Sequence, residues 1–241
     1  MKIGIFTDPH YSSQTLTCKR RYNSRSLEKI REAYRFFLRE RCDLVVCLGD
    51  LTDREVSHAQ ELRNLEALAE LIRSQPVETV CLMGNHDAFS FTQEEFYGVL
   101  GGCRPENRHL GEKNLIFLDA CYFTGGRHYM PGDTDWTDTC YPFVEDLKKQ
   151  LRQAKGDIYV FVHQNLDPNV RQDHCLSNSE QINELLRSTP GVKAVFQGHY
   201  HRGRESLLNG IRYITFPAMC EGEQAYFIES TGDGPLCRGD S

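Results

Sequence analysis

The residues able to bind a metal ion or move a proton fall at particular places in this sequence, each group just after an apolar run. Asp8 and His10 follow KIGIF (2–6), and Asp50 follows LVVCL (44–48) as Gly49-Asp50. Asn85, His86 and Asp87 follow ETVCLM (78–83) behind Gly84. His163 ends IYVFV (158–162), and His199 and His201 follow KAVFQ (193–197) as Gly198-His199-Tyr200-His201. Carboxylate, imidazole and amide oxygen together suit divalent ions such as Mn, Fe or Zn. A carboxylate can also bridge two such ions about 3.5–4 Å apart, the arrangement of two-metal hydrolysis. Asp and Asn are ordinary turn formers after strands, and a lone His-x-His is commonly a surface feature. Five such groups, each closing a strand-like run, point instead to one metal site. The glycines before Asp50, Asn85 and His199 would let the backbone turn tightly off each strand.

The segments between these runs read as helices. Leu27, Ile30, Tyr34 and Phe37 recur at helical spacing, as do Leu62, Leu65, Ala69 and Ile72, with Pro76 beyond. Thr92 with Glu95, and Ser177 with Glu180, look like capping boxes. LIFLDA (115–120) reads as a strand. Pro142 can open a helix carrying Phe143, Leu147 and Leu151, and Asn209-Gly210 is a hairpin signal. QAYFIES (224–230) reads as the last strand. Residues 124–141 read as a long surface loop, a length that is usually functional. Strand–helix alternation followed by a late hairpin predicts an α/β fold with a mixed sheet. We expect one domain over 1–230 and a polar, frayed tail at 231–241. In open α/β sheets, ligand sites lie at the carboxyl ends of strands, where all five groups fall.

DPH, GDLTD, GNHD, an isolated His and GHYH together resemble the calcineurin-like metallophosphoesterase superfamily, from residue 8 to 201. GDLTD with GNHD is most similar to the class III cyclic nucleotide phosphodiesterase group. Ser/Thr phosphatases end the corresponding motif in Glu where Asp87 stands here, and purple acid phosphatases use a Tyr ligand that LTD lacks. The resemblance implies a four-layer α-β-β-α sandwich with two mixed β-sheets. It implies that Asp8, His10 and His201 bind one divalent ion, that Asn85, His163 and His199 bind a second, and that Asp50 bridges them. It further implies that metal-bound hydroxide attacks phosphorus, that His86 faces the leaving group, and that Asp87 orients His86. Two divalent ions bring four positive charges, and Asp8, Asp50 and a hydroxide remove three. The site would therefore attract a phosphate anion.

Composition narrows the partners. The chain has 241 residues, 39% hydrophobic and 26% charged, and a net charge of −6. That is a globular composition that disfavours nucleic acid and anionic membranes as general partners. No apolar run is long enough to span a bilayer. Ten cysteines without C-x-x-C spacing read as reduced, structural thiols of a cytoplasmic protein. The substrate expected is a small phosphorylated molecule, a phosphodiester or nucleotide type. The alternatives are a phosphomonoesterase of the same fold or a non-catalytic protein-binding scaffold. Around the ligands, Asp53 is either a support for the site or a helix cap, and Arg54 either a phosphate clamp or a solvated helix start. Lys19-Arg20-Arg21 reads more as an exposed face than as a phosphate contact. Trp136, Tyr129 and His128 either cover a base or aryl group or anchor the loop. His58 and His174 read as surface histidines, and Asn178 as a helix start.

Overall fold

A computed structural model describes residues 1–222, 225–231 and 234–240. The elements run β1 (Lys2–Phe6), α1 (Ser26–Arg39), β2 (Leu44–Cys47), α2 (His58–Arg73), β3 (Thr79–Cys81), α3 (Asn85–Ser90) and α4 (Gln93–Leu100). They continue with β4 (Arg108–Leu110), β5 (Lys113–Leu118), α5 (Val144–Gln153), β6 (Ile158–Val162) and α6 (Ser179–Ser188). The chain then forms β7 (Val192–Gln197), β8 (Arg204–Leu208), β9 (Ile211–Thr215), β10 (Tyr226–Thr231) and β11 (Gly234–Gly239). One sheet has the order β11-β10-β1-β2-β3 and the other β4-β5-β6-β7-β9-β8.

The apolar runs are continuous because both faces of these strands are buried. Ile3, Ile5, Val46 and Val80 meet Leu115, Phe117, Phe161 and Phe196 in a core between the sheets. The alternate residues Phe6, Val45, Cys47 and Cys81 face Ile30, Phe37, Leu65 and Ile72 of α1 and α2. On the other outer face, Ile116, Val160 and Val195 meet Leu147 and Leu151 of α5 and Ile182 and Leu186 of α6. These are the four layers, helix, sheet, sheet, helix. Both sheets are mixed. β1, β2 and β3 pair in parallel in one, and β5, β6, β7 and β9 in the other, so their carboxyl ends share one edge of each sheet.

Local signals fared unequally. Thr92 caps α4, accepting from the Glu95 amide, and Ser57 caps α2. Asn209 and Gly210 turn the β8–β9 hairpin with φ of 53° and 81°. Ser177 does not cap α6: its hydroxyl donates to the Thr139 carbonyl, and Asn178 clamps Tyr141 through both its amide atoms. The expected tail is largely strand. β11 pairs antiparallel with β10 at the sheet edge, where Pro235 removes no needed ladder bond. Cys237 packs against the core between the sheets, and Asp240 pairs with Arg39 at 2.9 Å. Residue 224 of the expected last strand, and 232, 233 and 241 of the expected tail, lie outside the described residues. No helix among the described residues is long and apolar enough to cross a membrane.

Candidate metal centre

The seven donor residues picked from sequence come together at the carboxyl edges of β1, β2, β3, β6 and β7, and all but His201 are buried. Getting there requires unusual backbone. Asp8, His10, Asp50 and His199 have φ of 51°, 47°, 53° and 62°, the left-handed region that L residues avoid. Such conformations cost about 1–3 kcal/mol each and persist where surrounding structure enforces them. The preceding glycines serve two ends. Gly49 has φ of 115°, which only glycine adopts easily. Gly84 and Gly198 need empty space instead, since a Cβ on the first would overlap Asp50 and on the second Thr7 and Asp8.

Each donor is held by its other end. Asp8 accepts from Thr7 Oγ1 at 2.5 Å and the His199 amide at 3.1 Å through Oδ2, which leaves Oδ1 facing inward. His163 Nδ1 donates to the Leu48 carbonyl at 2.9 Å, and His201 Nδ1 meets Glu221 Oε1 at 2.6 Å, so each ring turns Nε2 inward. This is the usual support for a metal-ligating histidine. Asp50 Oδ1 accepts the His86 amide at 2.8 Å. Its Oδ2 stands 3.2 Å from His163 Nε2 and 3.5 Å from His10 Nε2. Asp50 thus lies between two sets of donors. In one, His201 Nε2 is 3.4 Å from Asp8 Oδ1 and 3.2 Å from His10 Nε2. In the other, His163 and His199 close on Asp50.

Inside this cage Asn85 Oδ1 and His199 Nε2 are buried without a hydrogen-bond partner, and Asp8 Oδ1 and His163 Nε2 meet only other groups of the cage, His201 at 3.4 Å and Asp50 at 3.2 Å. Electron-pair donors crowded this way repel each other unless a cation stands among them, so the donor set fits divalent ions. The charges of the cage's own groups show the same crowding. Burial alone would raise the Asp50 carboxyl, but the His163, His86 and His10 rings hold it well below the usual range. Burial likewise opposes ionisation of Asp8, and its contacts with His10 and His201 reverse that. His163 is pushed up to about 9 by Asp50 and Asp8 against burial, and His201 to about 12 by Asp8, Cys220 and Glu221. Burial and the His86 charge lower His10 to about 4, and burial and the His163 charge lower His199.

His86, expected beside the leaving group, lines an open pocket above the cage. Its ring is oriented by Asp53, whose Oδ1 lies 2.9 Å from Nδ1, and not by Asp87. Burial disfavours charge on the ring, but Asp50 and Asp53 together raise its pKa. Asp87 caps α3 by accepting the Gly84 amide at 3.1 Å, and it gathers the amides of Leu51 and Thr52 at 3.1 and 2.9 Å. It therefore clips the loop after β2 to the loop after β3. Asp53, by contrast, is no helix cap, since α2 starts at His58 and is capped by Ser57. It accepts from Asn23 Nδ2 at 3.1 Å and lies 3.4 Å from Arg21 Nη1.

The pocket holds about 240 Å³ and is walled by Arg20, Arg21, Trp136, Arg171, His174, Tyr200 and Arg202. Trp136 packs partly on the core beneath α1 and α2, as an anchor would, and also lines the pocket, 5.4 Å from the His199 ring and 4.9 Å from His174. Tyr129 is a fully buried anchor, and His128 turns away toward Asp119. Arg54 is exposed and donates to the Asp133 carbonyl, outside the pocket. His58 is exposed and paired with Glu95, as expected of a surface histidine. Arg20 and Arg21 are not merely an exposed face, and His174 is not a surface histidine. The sequence reading also missed Arg171, Tyr200, Arg202, Glu221 and the buried Cys220, whose sulfur joins His10 and His201 in one cluster. Tyr200 and Arg202 alone had a usable signal, the first lying between His199 and His201 and the second directly after them.

A family model described as calcineurin-like phosphoesterase matches residues 1–203. The chain is 28% identical over 229 residues to the 3',5'-cyclic adenosine monophosphate phosphodiesterase CpdA of Escherichia coli K12, a match covering 91% of this chain and 76% of that one. It is 25% identical over 186 residues to a 3',5'-cyclic-nucleotide phosphodiesterase of Nostoc, covering 76% of this chain and 65% of the relative. The match thus spans about two thirds to three quarters of these relatives' length. Among solved structures, a dimetal phosphatase from Danio rerio superposes with a TM-score of 0.86 at 18% identity, over 99% of this chain and 95% of that one. That likeness concerns the fold alone. Because the matched span takes in the whole cage from Asp8 to His201, the chain belongs to the calcineurin-like phosphoesterase family.

Proposed function

We propose that this chain hydrolyses phosphodiesters of small, nucleotide-type molecules with two divalent ions, Mn, Fe or Zn. The observation that carries the reading is the set of four buried donor atoms around Asp50 that find no partner outside the cage, two of them, on Asn85 and His199, with none at all. A buried polar atom left unpaired costs about 1–3 kcal/mol, a penalty that bound cations would remove. Asp8, His10 and His201 would hold one ion, Asn85, His163 and His199 the other, and Asp50 both. Such ions, when bound, polarise a phosphoryl oxygen and lower the pKa of an attacking water to roughly 7. The protein's own part is then the leaving group. Asp53 fixes Nδ1 of His86, so Nε2 is the nitrogen left to give a proton to the departing oxygen. The raised pKa of the ring keeps that proton available. Trp136 offers a face for a base or an aryl group. The named activity of the bacterial relatives supports a diester over a monoester. The proposal puts the enzyme in the cytoplasm, where its ten unpaired thiols would stay reduced.

The test is turnover by the full chain reconstituted separately with Mn, Fe and Zn. Bis(p-nitrophenyl) phosphate and 3',5'-cyclic AMP should be hydrolysed at least tenfold faster than p-nitrophenyl phosphate. A faster monoester would overturn the diester reading, and no turnover with any metal would overturn the hydrolase reading.

A further inference from the structure

The pocket carries more cations than one phosphodiester requires. Arg20, Arg21, Arg171 and Arg202 all line it, in a chain whose net charge is −6. A phosphodiester has a single negative charge, and the ion-loaded cage would already meet that charge. Arg21 is committed to Asp53, with its side chain 19% exposed. Arg20 and Arg171 pair with Glu221 and Asp173 at the rim. Arg202 is different. It is exposed, and it has no hydrogen-bond or ion-pair partner among the described residues.

Its backbone, by contrast, is fixed. Arg202 directly follows His201 in a turn closed by Gly203 N to the Tyr200 carbonyl at 2.9 Å and by Ala218 N to the His201 carbonyl at 3.0 Å. Gly203 has φ of 67°, and a Cβ there would press on Pro217. A guanidinium anchored one residue from the cage, beside a pocket and without a carboxylate, presents a planar set of donors matched to a phosphate or carboxylate. Trp136 shares the same pocket wall and can take a flat ring.

We infer that the substrate carries a second phosphate beyond the one to be cleaved, that Arg202 receives this second phosphate, and that a flat ring rests against Trp136. The inference rests on the phosphodiesterase reading and narrows its substrate class. A singly charged diester such as a cyclic mononucleotide would leave Arg202 unused.

Trp136 is the only tryptophan in the chain, so its fluorescence reports occupancy of this pocket without any turnover. The full chain, loaded with Mn at fixed free concentration, is titrated with adenosine 5'-monophosphate and with α,β-methylene adenosine 5'-diphosphate. Both should quench Trp136, and the diphosphate analogue should bind at least about tenfold more tightly. R202A should bring the ratio of the two affinities to within about twofold of one, and R202K should keep part of it. R187A, whose arginine pairs with Glu184 away from the pocket, should keep the wild-type ratio. A wild-type ratio near one, or a ratio that survives R202A, overturns the inference. Absent turnover of an aryl diester would overturn the hydrolase reading and leave this binding ratio standing. Normal turnover with a flat ratio would overturn this inference alone.

Discussion

Replacing Asp53 by asparagine keeps the shape of the support beneath His86 and removes its charge. Asp53 Oδ1 lies 2.9 Å from His86 Nδ1 and also accepts the Arg54 amide at 2.9 Å, which keeps an asparagine oxygen at that position, while the bond from Asn23 to Oδ2 is given up. A hydrogen bond to a charged group contributes roughly 1.5–3 kcal/mol and a neutral one roughly 0.5–1.5. The difference, about 1.3 kcal/mol, is close to one pKa unit. Asp50 also raises the His86 pKa and remains in the variant, while burial opposes it, so the ring's pKa falls back toward its ordinary value. The sign follows: His86 acts while protonated, so activity falls as pH rises through its pKa. In Asp53→Asn the basic limb of the kcat profile should move about one unit to lower pH. Esters with alkoxide leaving groups should lose up to roughly tenfold in kcat along that basic limb, and nitrophenyl esters less, because nitrophenolate leaves without a proton. Metal content should be unchanged, since Asp53 comes no nearer the cage than 3.7 Å, at His10 Nδ1. An unmoved basic limb, with equal losses for both leaving groups, would refute the proton-transfer role. Loss of an ion would show that Asp53 supports the cage instead.

Trp136→Ala should raise KM for nucleoside or aryl esters by about tenfold or more, and for small alkyl esters far less, because stacking on an aromatic face contributes roughly 1–3 kcal/mol. Equal effects on all esters, read from steady-state kinetics, would make Trp136 a packing anchor only. Gly84→Ala should lose about 1–3 kcal/mol in thermal unfolding, because its Cβ meets Asp50 with no room to yield. Gly98→Ala, in α4 with nothing near its Cβ, should be neutral or stabilising, and equal shifts for the two would refute the close-approach argument. Loading the metal-free chain at pH 7.5 should release up to about two protons, because His163 at about 9 and His201 at about 12 must become neutral to bind. Apparent metal affinity should accordingly rise with pH between 6 and 9. Calorimetry in buffers of different ionisation enthalpy measures the release, and none at pH 7.5 would contradict the ligand assignment.

The cage was legible because parallel strands give their carboxyl ends to one edge, so a donor right after a strand needs no further information to be placed. His163 followed the same rule even as a single residue. What escaped the sequence depends on contacts between distant loops. Asp53 and His86 are 33 positions apart, and nothing local to either says that they touch. Asp87 looked catalytic because it sits in GNHD, yet its work is to cap α3 and collect amides from the β2 loop. His174, Arg171 and Glu221 come from segments with no motif and reach the pocket only through tertiary packing. β11 was missed for a different reason, since an edge strand tolerates the glycine, proline and charge that read as a tail.

The most direct test of the account is the number of divalent ions per chain, measured by elemental mass spectrometry on the wild type and Asp50→Asn alongside aryl diester turnover. The account predicts two ions in the wild type. In the variant it predicts fewer than one, with turnover lost, because the one carboxylate between the two donor sets has become neutral. A wild type that is active with one ion or none, or a variant that keeps two ions and near-normal turnover, would contradict it.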